Sequence, residues 1–444
     1  MSARGLIIGA PRSGSGKTTL TLALLAAARR RGLAIRAAKS GPDYIDPAFH
    51  EVATGWPSHN LDSWAMAPAQ LGMVADYAAA AADLLVIESS MGLFDGVAGP
   101  EGHTGAGADL AARFGLPVVL ILDVSGHSQS AAAVARGFAL HQPGVEIAGV
   151  VLNRVASERH RDGVAAAMQA VGIKIFGAIK RDETISVPER HLGLVQALEH
   201  PDLRLHLDRL ADLAEDSLDV PGIFALAKPL AGPEGGGGPG LLTPPGQRIA
   251  IARDAAFSFL YAHVLEGWRR AGSEMVFFSP LADEAPPPDC DSCWLPGGYP
   301  ELHAGALAAA RRFKAGLAEF AAARPVHGEC GGYMVLGANL QSADGQWHAM
   351  TGLLSHETSF AKRRMNLGYR QAAMLVDSPL GPAGTCIRGH EFHYASVVSP
   401  GTDAPLAALR DAAGTPLPQA GGKRGLVSGA FFHAIARQEP AERG

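Results

Sequence analysis

Residues 6–20 read LIIGAPRSGSGKTTL. Leu6–Gly9 is an apolar run of strand length, and Thr18–Arg31 carries a helical pattern closed by Gly32. The glycine-rich turn between them has the composition of a phosphate-binding loop. Gly14 and Gly16 let backbone N–H groups approach phosphate oxygens closely, and the helix N-terminus adds partial positive charge. Lys17 is placed to reach terminal phosphates, and the Thr18 hydroxyl to ligate Mg²⁺. The expected ATP-binding set is Gly14, Ser15, Gly16, Lys17, Thr18 and Thr19. Pro11 stands where the strict pattern has Gly, and Arg12 fits a contact with phosphate or a partner subunit as well as a solvated loop.

Working outward, Ile35–Lys39, Leu84–Glu88, Val118–Asp123 and Ile147–Asn153 are further apolar runs of strand length alternating with helical stretches. Runs without polar alternation suit a parallel sheet covered on both faces, so the expectation is an α/β doubly wound fold. Chemistry in such sheets gathers beyond the carboxyl ends of the strands. Glu88 ends LLVIE and suits Mg²⁺ binding, with Thr18 and Asp46 as further metal candidates. Asp43 and Tyr44 in KSGPDYID and Asp95 in MGLFDG are candidates for positioning substrate or phosphate. Each Asp reads also as a cap or turn former, Asp123 above all.

The chain of 444 residues exceeds one ordinary core. Residues 229–246, PLAGPEGGGGPGLLTPPG, have linker composition. The expected division is therefore 1–228, a linker at 229–246, and a second domain at 247–438. Net charge is −5 and no basic tract stands out, which argues against nucleic acid. Four cysteines are too few for a disulfide framework, and no apolar run is long enough for a signal segment or a membrane span. A cytoplasmic setting is expected.

The second half repeats the rhythm, with strands at Arg248–Ala252, Glu274–Phe278, Cys293–Leu295 and Pro325–Gly328, and helices at Phe259–Arg270, Ala306–Ala322 and Tyr333–Leu336. Its chemistry centres on HGECGGY, residues 327–333. Gly-x-Cys-x-Gly is the thiol counterpart of the nucleophile elbow, which marks Cys330. The helix N-terminus after it is expected to favour thiolate. Gly297 and Gly298 in PGGYPE can offer N–H groups to an oxyanion. His433, His390 and His393 compete for the role of base. Cys290 and Cys293 form one C-x-x-C without a second pair and read as structural.

Taken in order, SGSGKTT, KSGPDYIDPAFH, MGLFDG, LNRV, PERHLGL, PGGYPE, GECGGYMVLG, RGHEFHY and SGAFFH span both halves. The whole chain resembles the cobyrinic and hydrogenobyrinic acid a,c-diamide synthases of cobalamin biosynthesis, and cobyric acid synthases more weakly. The resemblance implies a dethiobiotin-synthetase-like P-loop domain followed by a class I glutamine amidotransferase domain of flavodoxin-like type. It implies that ATP with Mg²⁺ phosphorylates the a and c carboxylates of a corrinoid, and that ammonia from L-glutamine displaces the phosphate. It further implies Cys330 as the glutaminase nucleophile, His433 as its base, and a homodimer. The substrate leaning is hydrogenobyrinic acid over cobyrinic acid. A reading of another class is a P-loop ATPase switch with an inactive amidotransferase domain. Two departures stand out. Ile435 occupies the position where many amidotransferases carry Glu, which favours a Cys–His dyad, and Ser89-Ser90 follow Glu88 where relatives carry Gly and a small apolar residue.

Overall fold

The computed structural model describes residues 3–182, 202–230 and 241–438, with the backbone of Glu189–Arg190 and Gly193–Leu194. Apart from those four residues, the PERHLGL motif lies outside the described residues, as does 231–240 within the Pro/Gly stretch. The chain divides into two compact units, Met1–Gly238 and Pro239–Gly444.

The first unit runs β1 (Arg4–Gly9), α1 (Lys17–Arg30), β2 (Ile35–Ser40), α2 (Asp46–Thr54), β3 (His59–Leu61), α3 (Pro68–Ala79), β4 (Leu84–Glu88), α4 (Gly107–Phe114), β5 (Val118–Asp123), α5 (Ser130–His141), β6 (Ile147–Val155), α6 (Glu158–Ala170) and β7 (Ile175–Lys180). A two-residue hairpin, β8 (Glu189–Arg190) and β9 (Gly193–Leu194), follows, then α7 (Leu203–Ser217), α8 (Val220–Ala225) and β10 (Lys228–Pro229). The strands lie parallel in the order β3-β2-β4-β1-β5-β6-β7, with β10 antiparallel beside the start of β1. Leu6, Ile7, Ile8, Val86 and Ile87 are wholly buried, as strands covered on both faces require. Each such side chain contributes about 1.5–3 kcal/mol relative to exposure. Because β4 returns between β2 and β1, the turns after β1, β2 and β4 open side by side.

The second unit begins with β11 (Arg248–Ala252), α9 (Ala262–Arg270), β12 (Glu274–Phe278), β13 (Ser292–Leu295), α10 (Ala304–Ala309), α11 (Arg311–Ala323), β14 (Val326–Glu329) and α12 (Gly331–Leu336). It continues through β15 (Asn339–Gln341), β16 (Trp347–Ala349), β17 (Glu357–Ser359), β18 (Asn366–Met374), β19 (Cys386–His393), β20 (Ser396–Ser399), β21 (Ala407–Arg410), β22 (Gly422–Arg424), β23 (Val427–Ala430) and β24 (His433–Gln438). The main sheet has the order β12-β11-β13-β14-β23-β22, parallel but for β22 at the edge. Its five parallel strands follow the flavodoxin-like order. Between β14 and β23 the chain builds one small sheet, β16-β15-β17-β20, and three strands of another, β21-β18-β19-β24, which β24 completes after β23.

Two expected helices differ. The helix expected from Phe259 starts at Ala262, because the Phe259 N–H is donated to Gly297 O at 3.0 Å and the segment is extended there. The single helix expected over 306–322 is two, broken at Ala310 (φ −71°, ψ 83°). Asp283 Oδ1 takes the Phe313 N–H at 2.9 Å and so caps the second helix afresh. Both ends of the Pro/Gly stretch are tied within their own units. Lys228–Pro229 pairs with β1, and Leu241 O accepts the Arg437 N–H at 2.6 Å.

Candidate functional site

In the first unit the expected residues converge beyond β1, β2 and β4. Gly14 and Gly16 sit at φ 73° and 101°, conformations that glycine adopts without strain. A Cβ on Gly16 would lie 2.3 Å from Asn153 Nδ2, and that same amide donates to Ser15 O at 2.8 Å. Thus β6 braces the loop. Lys17 Nζ donates to Arg12 O (3.4 Å) and to Met91 O. Burial, and then Lys39, lowers the Lys17 ammonium to about 8.

Thr18 Oγ1 donates to Glu88 Oε1 at 2.7 Å. Lys39 Nζ donates to the same carboxylate oxygen at 2.9 Å and to Asp46 Oδ2 at 2.5 Å. His50 Nε2 lies 2.8 Å from Glu88 Oε2, and its Nδ1 meets Ser58 Oγ at 3.1 Å. Burial alone would neutralise these groups. Instead Asp46 and Glu88 hold Lys39 above its ordinary pKa, and Lys39 and His50 hold Glu88 below its own. Asp43 goes the other way, pushed up to about 7 by burial and then by Asp46. Thr18 and Glu88 offer the hard oxygens that Mg²⁺ takes, and so fit it. Asp46, the third expected ligand, is paired with the Lys39 ammonium, as Glu88 Oε1 also is.

Asp95 Oδ2 accepts the Gly92 N–H at 2.9 Å, which staples the turn whose Met91 carbonyl holds Lys17. Asp123 is both turn former and anchor, accepting from Ser125 N and pairing with Arg12 (3.1 Å) and Arg154 (2.5 Å). Tyr44 is buried beside Asp43. The serine at 90 has a use of its own, since Ser90 Oγ donates to Ser40 O and, with the Ser90 N–H on Ser40 Oγ at 2.8 Å, ties the β4 turn to β2.

In the second unit Cys330 turns between β14 and α12 at φ 46°, ψ −103°, a region that non-glycine residues seldom occupy. The flanking glycines are required by space. A Cβ on Gly332 would meet Leu295 O at 2.0 Å, and one on Gly331 would meet Gly298 N at 2.9 Å. Gly297 faces the elbow, for a Cβ there would lie 2.3 Å from His433 Cε1, 3.0 Å from its Nε2 and 3.3 Å from Cys330 Cβ. The imidazole and the thiol-bearing carbon therefore flank one small space. Of the competing histidines, His390 sits opposite His433 in the β19–β24 ladder, and His393 is occupied by Ala395 O (3.0 Å) and stacked on Phe431.

The expected thiolate is overturned for the resting site. Burial, followed by the carboxylates of Glu301, Glu391 and Glu329, pushes the Cys330 thiol well up, and the Gly331 N–H offsets this only in part. The six-residue α12 cannot outweigh burial and those carboxylates. Cys290 and Cys293 are buried free thiols, in keeping with a structural role.

Two family descriptions match the chain. A CobQ/CobB/MinD/ParA nucleotide binding domain covers residues 6–195, and a CobB/CobQ-like glutamine amidotransferase domain covers residues 248–441. A hydrogenobyrinate a,c-diamide synthase of Mesorhizobium japonicum is 61% identical over 98% of this chain and 99% of its own length. The chain belongs to the hydrogenobyrinate a,c-diamide synthase family. Another family member, from Agrobacterium fabrum, is 59% identical over 98% of this chain and all of its own. Among solved structures, the septum site-determining protein MinD of Pyrococcus horikoshii shares 18% identity over 41% of this chain and 83% of its own, with a TM-score of 0.28.

Sequence reading of this synthase-family chain passed over Lys39, His50 and Asn153, which build the first site, and Glu329, whose Oε2 lies 3.7 Å from His433 Nδ1. Lys39 and His50 bracket the PDYID segment, and two basic side chains around an acidic motif are the available hint. Among the described residues no helix is long and apolar enough to cross a membrane.

Proposed function

We propose that the protein amidates the a and c side-chain carboxylates of hydrogenobyrinic acid with ATP and L-glutamine, through an acyl phosphate, in cobalamin biosynthesis. The observation that carries this is the nearly full-length match to hydrogenobyrinate a,c-diamide synthases, and the Thr18–Glu88 bond and the closeness of His433 and Cys330 about Gly297 support it. The printed names of the relatives favour hydrogenobyrinate over cobyrinate. The proposed domains are 1–228 and 247–438.

In the first domain, Gly14 to Thr19 hold the ATP phosphates and Lys17 stabilises charge on the transferring phosphoryl group. Mg²⁺ arriving with ATP would be held by Thr18 and Glu88, where it neutralises phosphate charge. A substrate carboxylate oxygen takes the γ-phosphoryl group, and ADP leaves. Asp43, Tyr44 and Asp95 position the two negative reactants. Ammonia then attacks the acyl carbon, phosphate departs with the C–O bond, and loss of a proton leaves the amide.

In the second domain, the Cys330 thiol gives its proton to His433 as sulfur attacks the carboxamide of glutamine. Gly297 and Gly298 receive the oxyanion. Ammonia leaves with the proton from His433, and water releases glutamate from the thioester. Buried free thiols suit a cytoplasmic setting.

The test pairs two variants and two nitrogen sources. Cys330→Ala is expected to lose glutamine-dependent amidation and keep ammonium-dependent amidation. Lys17→Ala is expected to lose both, by about 10²-fold or more. Retained glutamine use in Cys330→Ala would sink the nucleophile assignment. An ATPase that cycles without releasing glutamate in the wild type would favour the switch reading.

A further inference from the structure

We infer that Glu329 is the positioning residue for His433, so that the carboxylate missing from the position after the histidine is supplied by the residue before the nucleophile. The inference rests on Cys330 and His433 being nucleophile and base. The position two residues beyond His433 is Ile435, fully buried and apolar. Glu329 ends β14 and is itself buried. One of its oxygens, Oε1, accepts the Ala434 N–H at 2.8 Å, which fixes the carboxylate to the peptide next to His433. The other, Oε2, lies 3.7 Å from His433 Nδ1. The Nε2 edge of the ring faces the space beside Gly297 and Cys330. One nitrogen thus looks toward the thiol and the other toward a carboxylate.

That arrangement has a definite consequence. A carboxylate on the Nδ1 side favours the tautomer with its proton on Nδ1 and its lone pair on Nε2, and it stabilises the imidazolium once formed. The thiol proton moves to Nε2, leaving thiolate and imidazolium, while Glu329 forms no bond and takes no proton. At rest the pair is longer than a hydrogen bond, as dyads in unliganded sites often are.

The neighbours leave this role to Glu329. From β19, His390 and His393 face His433, and burial holds them down at about 3 and about 4, so both are neutral. Glu391, on the same strand, is bound to Arg370 at 2.7 Å. Cys330 faces the ring from the elbow, and the Tyr261 ring meets it edge-on. Glu391 also feels the His433 ring, but Glu329 Oε2 lies 3.7 Å from His433 Nδ1, within ion-pair reach.

Glu329→Gln in the full chain keeps an oxygen for the Ala434 N–H and removes the charge. The expected result is a fall of about 10²-fold or more in kcat for glutamine-dependent amidation and for glutamine hydrolysis. KM for glutamine should stay within about threefold. Ammonium-dependent amidation should be unchanged, and the pH profile of Cys330 alkylation by iodoacetamide should move to higher pH, the lost support of the imidazolium outweighing removal of the Glu329 charge that itself raises the thiol. A variant with wild-type kcat and an unmoved profile, or one altered in KM alone, overturns the inference. If Glu329→Gln loses ammonium use as well, Glu329→Asp decides. Recovery of both nitrogen sources with the wild-type profile upholds the charge, whereas recovery of ammonium use alone overturns it. Failure of the underlying reading shows separately, as glutamine use that survives Cys330→Ala.

Discussion

Around the phosphate loop, Lys39, Asp46, Glu88 and His50 are buried together as complementary partners, and Lys39 and Glu88 are held in their charged forms. Around the cysteine elbow, burial drives the Cys330 thiol up and His390 down to about 3, so the thiol and that imidazole rest neutral. The contrast follows the reactants. ATP and a carboxylate bring charge, and a site with charges already placed need not reorganise on their arrival. Glutamine is neutral at its reacting end, and on the proposed mechanism a thiol that stays protonated until the imidazole accepts its proton is shielded from oxidation and alkylation meanwhile.

The largest effect should come from breaking the charged side. Lys39→Met leaves Asp46 and Glu88 buried without their shared cation, and should destabilise the first unit by about 3–5 kcal/mol. Denaturant titration measures it, and a loss under about 1 kcal/mol would mean that the carboxylates find other partners. On the neutral side, Gly297→Ala drives a methyl group against His433 Cε1. Glutamine-dependent turnover should fall by about 10²-fold, with ammonium use intact. A normal glutaminase rate in this variant would show that the imidazole is not held where the elbow needs it.

The smallest effect sharpens the contrast through pH. Burial, and then Lys423, pushes His327 down to about 3, so its ring is neutral in the folded unit. An unfolded histidine titrates near 6.5, and protons therefore favour the unfolded chain. The stability that His327 contributes is complete above about pH 6.5 and is lost progressively as pH falls toward 3. Denaturation at pH 7.5 and 5.5 should show a lower midpoint at the acid value, with Trp294 as emission reporter 4.6 Å from the His327 ring. Equal midpoints would mean that the ring is reached by water.

What was legible in the sequence was what lies close together along it. The phosphate loop and the Gly-x-Cys-x-Gly elbow each need a few glycines at fixed spacing, so neither depends on distant partners. The Lys39–Glu88–His50 network draws on β2, β4 and α2, and no spacing rule joins those segments. Glu329 stands in plain view beside Cys330, but its meaning depends on Ala434 and His433 being folded against it. The break at Ala310 was hidden for another reason. Its neighbours are alanine-rich on both sides, and the interruption is set by Asp283, which lies upstream of α10.

The placement of β23 beside β14 has a bearing on how the protein is made. Cys330 leaves the ribosome about a hundred residues before His433, and one whole sheet and most of another are synthesised between them. On the proposed mechanism, until β23 pairs with β14 and β24 follows, the sulfur lacks its base, and a chain still growing, or one clipped within the inserted strands, cannot squander glutamine.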